Sequence, residues 1–150
     1  MEKQNFYDLN FDHLKSFLIK EVGVDKKKAK MRSQQLFNAV YKKNIKNFDE
    51  LTTFGLELRE KIKNLISLKK PKIIDIQKSK DGTIKFLLEL KDKRNVETVL
   101  IPDKSQSRYT ICLSVSVGCY LSCEFCATAQ ISKKLVRNLT PGEIISQIIL

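Results

Sequence analysis

The chain has 150 residues, 42% of them apolar, with 28 Lys/Arg against 17 Asp/Glu and one histidine, giving a formal net charge of +11. That composition belongs to a folded chain of one domain or two small ones, not to a disordered one. No run of about 18 apolar residues occurs and the start, Met1-Glu2-Lys3-Gln4-Asn5, is polar, so no membrane span or signal peptide is expected, and a cytoplasmic location with reduced cysteines is.

The positive charge is uneven: residues 1–70 carry 16 Lys/Arg against 9 Asp/Glu, and residues 71–150 carry 12 against 8. Phe11, Leu14, Phe17, Leu18 and Val22 recur at helical spacing after Asn10, a plausible N-cap, and Gly23 ends the stripe. His13 lies in a polar stretch and reads as a surface residue. A second helix is predicted from just after Asp25 to about Lys43, burying Ala29, Leu36, Phe37, Val40 and Tyr41. Its other face carries lysines, and Lys27, Lys28, Lys30 and Arg32 are candidates for contacts to nucleic-acid phosphates. A merely solvated basic face is the competing reading. Phe48 to Leu51 predicts a turn, and Leu56, Leu58, Ile62, Leu65 and Ile66 predict a third helix beyond Gly55. These elements make a helical module near the lower size limit for its own core.

Pro71 stops helix continuation, and the pattern becomes extended. Ile73, Ile74 and Ile76 lead to Asp81-Gly82, a hairpin turn signal. A strand from Thr83 to Leu90, a turn at Lys91 to Asn95 and a strand from Val96 to Ile101 follow. Pro102 to Arg108 reads as a polar linker, and Thr110 to Val117 as a buried strand feeding the next loop. Asn138 to Glu143 predicts a helix start, with Thr140 as N-cap, Pro141 at N1 and Glu143 at N3. The chain then stops on Ile144, Ile145, Ile148, Ile149 and Leu150 with no C-cap, which reads as truncation of a first β-α unit.

Cys119, Cys123 and Cys126 are spaced C-x3-C-x2-C within eight residues. Three thiolates this close suit a [4Fe-4S] cluster, in which they leave one iron open for another ligand. A structural zinc site recruiting Cys112 competes with this reading, but such sites usually present two separated cysteine pairs. Inert buried thiols are the other alternative.

The spacing resembles the signature of radical S-adenosylmethionine (SAM) enzymes. Separated stretches narrow the resemblance: Ala29-Lys30-Met31-Arg32, Asn47 to Thr52, Val96 to Pro102, Cys112 to Cys119, Cys123 to Gln130 and Arg137 to Thr140. Together they look like the amino-terminal part of the dual-specificity ribosomal-RNA and transfer-RNA adenine-C2 methyltransferases. Related adenine-C8 methyltransferases share much of this pattern. A non-catalytic RNA-binding metal module is the remaining alternative.

The resemblance implies that Cys119, Cys123 and Cys126 hold a [4Fe-4S] cluster whose open iron binds SAM. It implies methylation of C2 of adenine in 23S rRNA and tRNA through a methyl-cysteine placed beyond Leu150. Glu97 matches the family's proton acceptor, and Cys112 the thiol that releases product through a transient disulfide. On spacing alone, the preferred reading of Glu97 is an exposed strand residue paired with a lysine, and that of Cys112 a buried strand thiol. An electron donor such as flavodoxin and a monomeric state are also implied. The expected fold is α/β: a helical RNA-binding module (1–68), antiparallel β hairpins (69–104), and the incomplete start of a radical SAM partial (β/α) barrel (105–150).

Overall fold

The computed structural model describes residues 3–103, 105, 107–121, 123–131 and 135–149. Met1 and Glu2 of the polar start, Lys104 and Gln106 of the expected linker, Ser122 of the cysteine stretch and Leu150 lie outside the described residues. The chain forms two units, residues 1–69 and 70–150.

In the first unit, β1 (Gln4–Asn5) pairs in parallel with β2 (Ile66–Ser67) and joins its two ends. Between them run α1 (Phe11–Lys20), α2 (Lys26–Phe37) and α3 (Leu56–Leu65). Polar side chains take up orphan amides at the first two starts: Asn10 Oδ1 accepts from the His13 N–H at 2.8 Å, and Asp25 Oδ1 from the Lys27 N–H at 2.7 Å. His13 is exposed, as expected. A 3-10 turn, Phe48–Glu50, is closed by a capping box with Asn47. Leu14, Leu18, Ala29, Leu36 and Ile62 meet in the core with Phe6, which no periodicity marked. Phe6 also joins Phe37 and Tyr41 at ring centroid separations of 5.4 and 5.7 Å. Burial, followed by the proximity of Tyr41, pushes the Tyr7 hydroxyl up to about 12.

Two expectations need correction here. The second helix does not run as one helix to Lys43: after Phe37 it widens into a π turn, Asn38–Lys42, which buries Ala39 and Val40. Leu56 is 74% exposed, because as the first residue of α3 it precedes the buried stripe through Ile62.

The second unit is built on a four-stranded antiparallel sheet in the order β3 (Lys72–Lys78), β4 (Ile84–Glu89), β5 (Asn95–Asp103), β6 (Arg108–Leu113). Gly82 adopts φ +95° in the first turn, as the Asp-Gly signal requires. The expected buried strand from Thr110 to Val117 is corrected. Its first part belongs to β6, an exposed edge strand paired with β5, and the expected linker from Pro102 to Arg108 is corrected too, since Pro102 and Asp103 end β5 and Arg108 begins β6. Its last part, β7 (Ser116–Val117), pairs instead with β8 (Arg137–Asn138). Between β7 and β8 lies α4 (Ala127–Ile131), and α5 (Pro141–Ser146) follows with the predicted capping box at Thr140 and Glu143. One sheet face is covered: Leu88, Leu90 and Val96 pack with Leu139, joined by Phe86, Val117 and Ile144. The architecture is therefore mixed α/β, with a helical amino-terminal part and an antiparallel sheet, as expected.

Candidate functional site

Side chains alternate between the faces of a sheet, so the register assigns Glu97 and Cys112 their places. Val96 and Thr98 point into the covered core, which puts Glu97 on the opposite, open face. Val99 is paired with Cys112 across β5 and β6, and Glu97 lies two residues from Val99 along β5. Glu97 and Cys112 are thus diagonal neighbours on adjacent strands of one open face, a relation that puts their Cα atoms roughly 7–8 Å apart. Lys85 shares that face, its Nζ 3.0 Å from the Glu97 carboxylate. The lysine partner foreseen for Glu97 is real, and the pair is exposed enough to contribute little stability. Cys112 is exposed, so the expectation of a buried strand thiol is corrected.

The cysteine loop starts where β7 ends. Gly118, at φ +76°, makes the turn into Cys119, a conformation that costs any side chain strain. The Cys119 sulfur accepts the Leu121 N–H at 3.3 Å, and the Cys126 N–H donates to the Cys123 carbonyl at 3.1 Å, leading directly into α4. Cys119, Cys123 and Cys126 are all half-buried thiols outside any disulfide. Among the described residues no three His, Cys, Asp or Glu side chains gather as a single metal ion would require. The loop brings the three cysteines onto one turn without converging them on a point. The donor set still fits a [4Fe-4S] cluster, in which each thiolate takes a different iron. Around the thiols Tyr120, Leu121 and Phe125 stand out, Phe125 being 92% exposed.

On the first unit, Lys27, Lys28 and Lys30 project from the exposed side of α2. Arg32 differs from them. Its guanidinium donates to the Thr53 carbonyl at 2.9 Å and to Gln35 at 3.0 Å, and lies 5.0 Å over the Phe54 ring. It ties α2 to the segment before α3.

Residues 4–68 match the family described as the ribosomal RNA large subunit methyltransferase N-terminal domain. The chain is 40% identical over 131 residues to a dual-specificity RNA methyltransferase RlmN of Nitratiruptor sp., covering 80% of this chain and 36% of the relative. It is 42% identical over 135 residues to the Agrobacterium fabrum protein of the same name, covering 87% of this chain and 32% of the relative. The chain belongs to this methyltransferase family. A crystal structure of a radical SAM methyltransferase from Sphaerobacter thermophilus superposes with a TM-score of 0.80 at 32% identity, covering 97% of this chain and 40% of that one. The chain spans about a third of the length of the curated RlmN relatives it matches.

The roles of two residues of this RlmN-type chain escaped the sequence reading. Arg137 on β8 donates twice to the Glu143 carboxylate at 2.7 and 2.8 Å and once to Asp92 at 2.8 Å. That guanidinium holds the Glu143 and Asp92 carboxyls below their ordinary range. The clasp fastens the return of the cysteine loop to the β4–β5 turn and to α5. Gln147, just after α5, is buried and fully hydrogen-bonded. Only its polarity within an apolar run marked it. Among the described residues no helix is long and apolar enough to cross a membrane.

Proposed function

We propose that this chain is part of a radical SAM RNA methyltransferase that methylates C2 of adenine in 23S rRNA and in tRNA through a methyl-cysteine intermediate. In this reading residues 1–68 bind RNA, residues 69–104 form the hairpins, and residues 105–150 begin the radical SAM domain. Cys119, Cys123 and Cys126 would hold the [4Fe-4S] cluster, reduced by a donor such as flavodoxin, in a monomeric cytoplasmic enzyme. When bound, the cluster and SAM supply the one-electron chemistry that polar side chains lack, which an electron-poor carbon such as adenine C2 demands.

The other steps fall to side chains. The Glu97 carboxylate would accept the C2 proton of the RNA adduct, and Lys85 would orient it. The Cys112 thiol, having lost its proton, would attack the sulfur of the methyl-carrying cysteine; the disulfide forms as the bond from that sulfur to the methylene carbon breaks, and the carbon keeps the electron pair and takes up a proton to become the methyl of the released product. The observation that supports this reading is the placement of Glu97 and Cys112 as diagonal neighbours on one open sheet face. A base and a resolving thiol acting on one adduct need that proximity.

In the full-length protein with RNA and SAM, Cys112→Ala and Glu97→Gln are expected to accumulate a covalent protein-RNA adduct on denaturing electrophoresis. Cys126→Ala is expected to form none, and mass spectrometry of the wild-type product should place the methyl on C2. Normal turnover by Cys112→Ala would remove it from the mechanism, and a C8 product would reassign the reaction.

A further inference from the structure

The β5–β6 ladder ends at the pair Thr98 and Leu113, where the chain leaves the sheet for β7 and the cysteine loop. An edge released this way leaves backbone groups in need of partners. Gln147, 4% exposed, supplies them. Its Oε1 accepts the Ser114 N–H at 3.0 Å and its Nε2 donates to the Ser114 carbonyl at 2.9 Å, so the carboxamide stands in for a neighbouring strand. The same amide accepts the Thr98 hydroxyl at 2.8 Å and donates to the Glu143 carbonyl at 3.2 Å. The Ser114 hydroxyl donates to the Glu97 carbonyl at 2.7 Å. One buried side chain therefore connects the residue after Glu97, the residue two beyond Cys112, and the helix that follows the cysteine loop.

We propose that Gln147 is a positioning residue. It fixes the angle at which the cysteine loop leaves the sheet, and so aligns the loop's thiols with the open face carrying Glu97 and Cys112. This rests on the functional reading above, and it goes further by assigning the alignment to one amide. Hydrophobic filling alone would not need both of its polar atoms. Gln147→Met keeps the bulk and removes every side-chain hydrogen bond; Gln147→Glu keeps the shape and the acceptor but loses both donors.

The test uses the full-length protein. In the iron-free state, amide hydrogen exchange is expected to speed up by about tenfold or more at Ser114 in Gln147→Met, with protection of β4 unchanged. In the reconstituted enzyme, both variants are expected to retain wild-type cluster absorbance per chain. They should nevertheless consume at least about ten times more SAM per methyl delivered to RNA, because a misaligned centre still reacts but misses its acceptor. A merely structural residue would lower SAM consumption and methyl transfer together, leaving that ratio fixed. Unchanged exchange at Ser114, or an unchanged ratio in both variants, overturns the proposal. If Gln147→Met does not fold, the ratio in Gln147→Glu decides. Wild-type protein that methylates no RNA would defeat the functional reading instead, and the exchange result would still judge the junction.

Discussion

Arg137 shows how much one guanidinium arranges. Its two parallel bonds to Glu143 satisfy a carboxylate that also caps α5 through the Thr140 N–H at 2.9 Å, and its third bond reaches Asp92. Arg137→Met is expected to cost about 2 kcal/mol, the usual scale for hydrogen bonds to charged groups, measured by urea unfolding. The pH dependence follows from the depressed carboxyl of Glu143. A group whose folded pKa is lowered stabilises fully above its unfolded value, and that stabilisation fades as pH falls through the folded one. The difference in stability between wild type and Glu143→Gln should therefore be constant from neutrality to about pH 5 and then close on acidification. A difference that grew below pH 5 would contradict the assignment.

At the scale of elements, α2 divides its residues cleanly: Ala29, Ser33 and Leu36 face the core, and Lys26, Lys27, Lys28 and Lys30 face solvent. If that face meets phosphates, Lys27→Glu with Lys28→Glu should weaken structured-RNA binding and flatten its salt slope by about one unit for each phosphate no longer neutralised. Unchanged affinity and slope would leave the lysines as solvated surface. Arg32→Ala should instead lower stability, since its hydrogen bonds are internal. The helix starts were legible because a cap is a local device of side chain and amide, as at Asn10, Asp25 and Thr140. The Asp81-Gly82 turn was legible for the same reason. The π turn at Asn38–Lys42 was not, because packing around Phe6 and Tyr41 decides it and no local signal precedes it. Thr110 to Val117 misled because its β-branched residues fit any strand, while its pairing partner is set by chain reversal at a distance. The three cysteines were legible by spacing. The junction of Ser114 with Gln147 was not, because it depends on a tertiary contact across 33 residues.

For the molecule as a whole, among the described residues neither core contains a cysteine of the loop: the first unit packs around Phe6, Leu14, Leu36 and Ile62, and the second around Leu88, Leu90, Val96 and Leu139. Anaerobic reconstitution with iron and sulfide is expected to colour the wild type and Cys112→Ala but not Cys123→Ala, while far-ultraviolet circular dichroism stays the same in all three. One zinc per chain, absent from both variants, would overturn the cluster assignment. The pairing of β7 with β8, with the Val136 N–H on the Val117 carbonyl at 2.9 Å, already draws the two ends of the cysteine loop together. Closing a loop carries an entropic cost, and the β7–β8 pairing offsets it with backbone hydrogen bonds. In a zinc finger, by contrast, binding energy and folding energy are one quantity, and a chelator unfolds the chain. On the proposed function, loading and folding are separate events: a chelator is expected to bleach the reconstituted protein and leave its sheet in place.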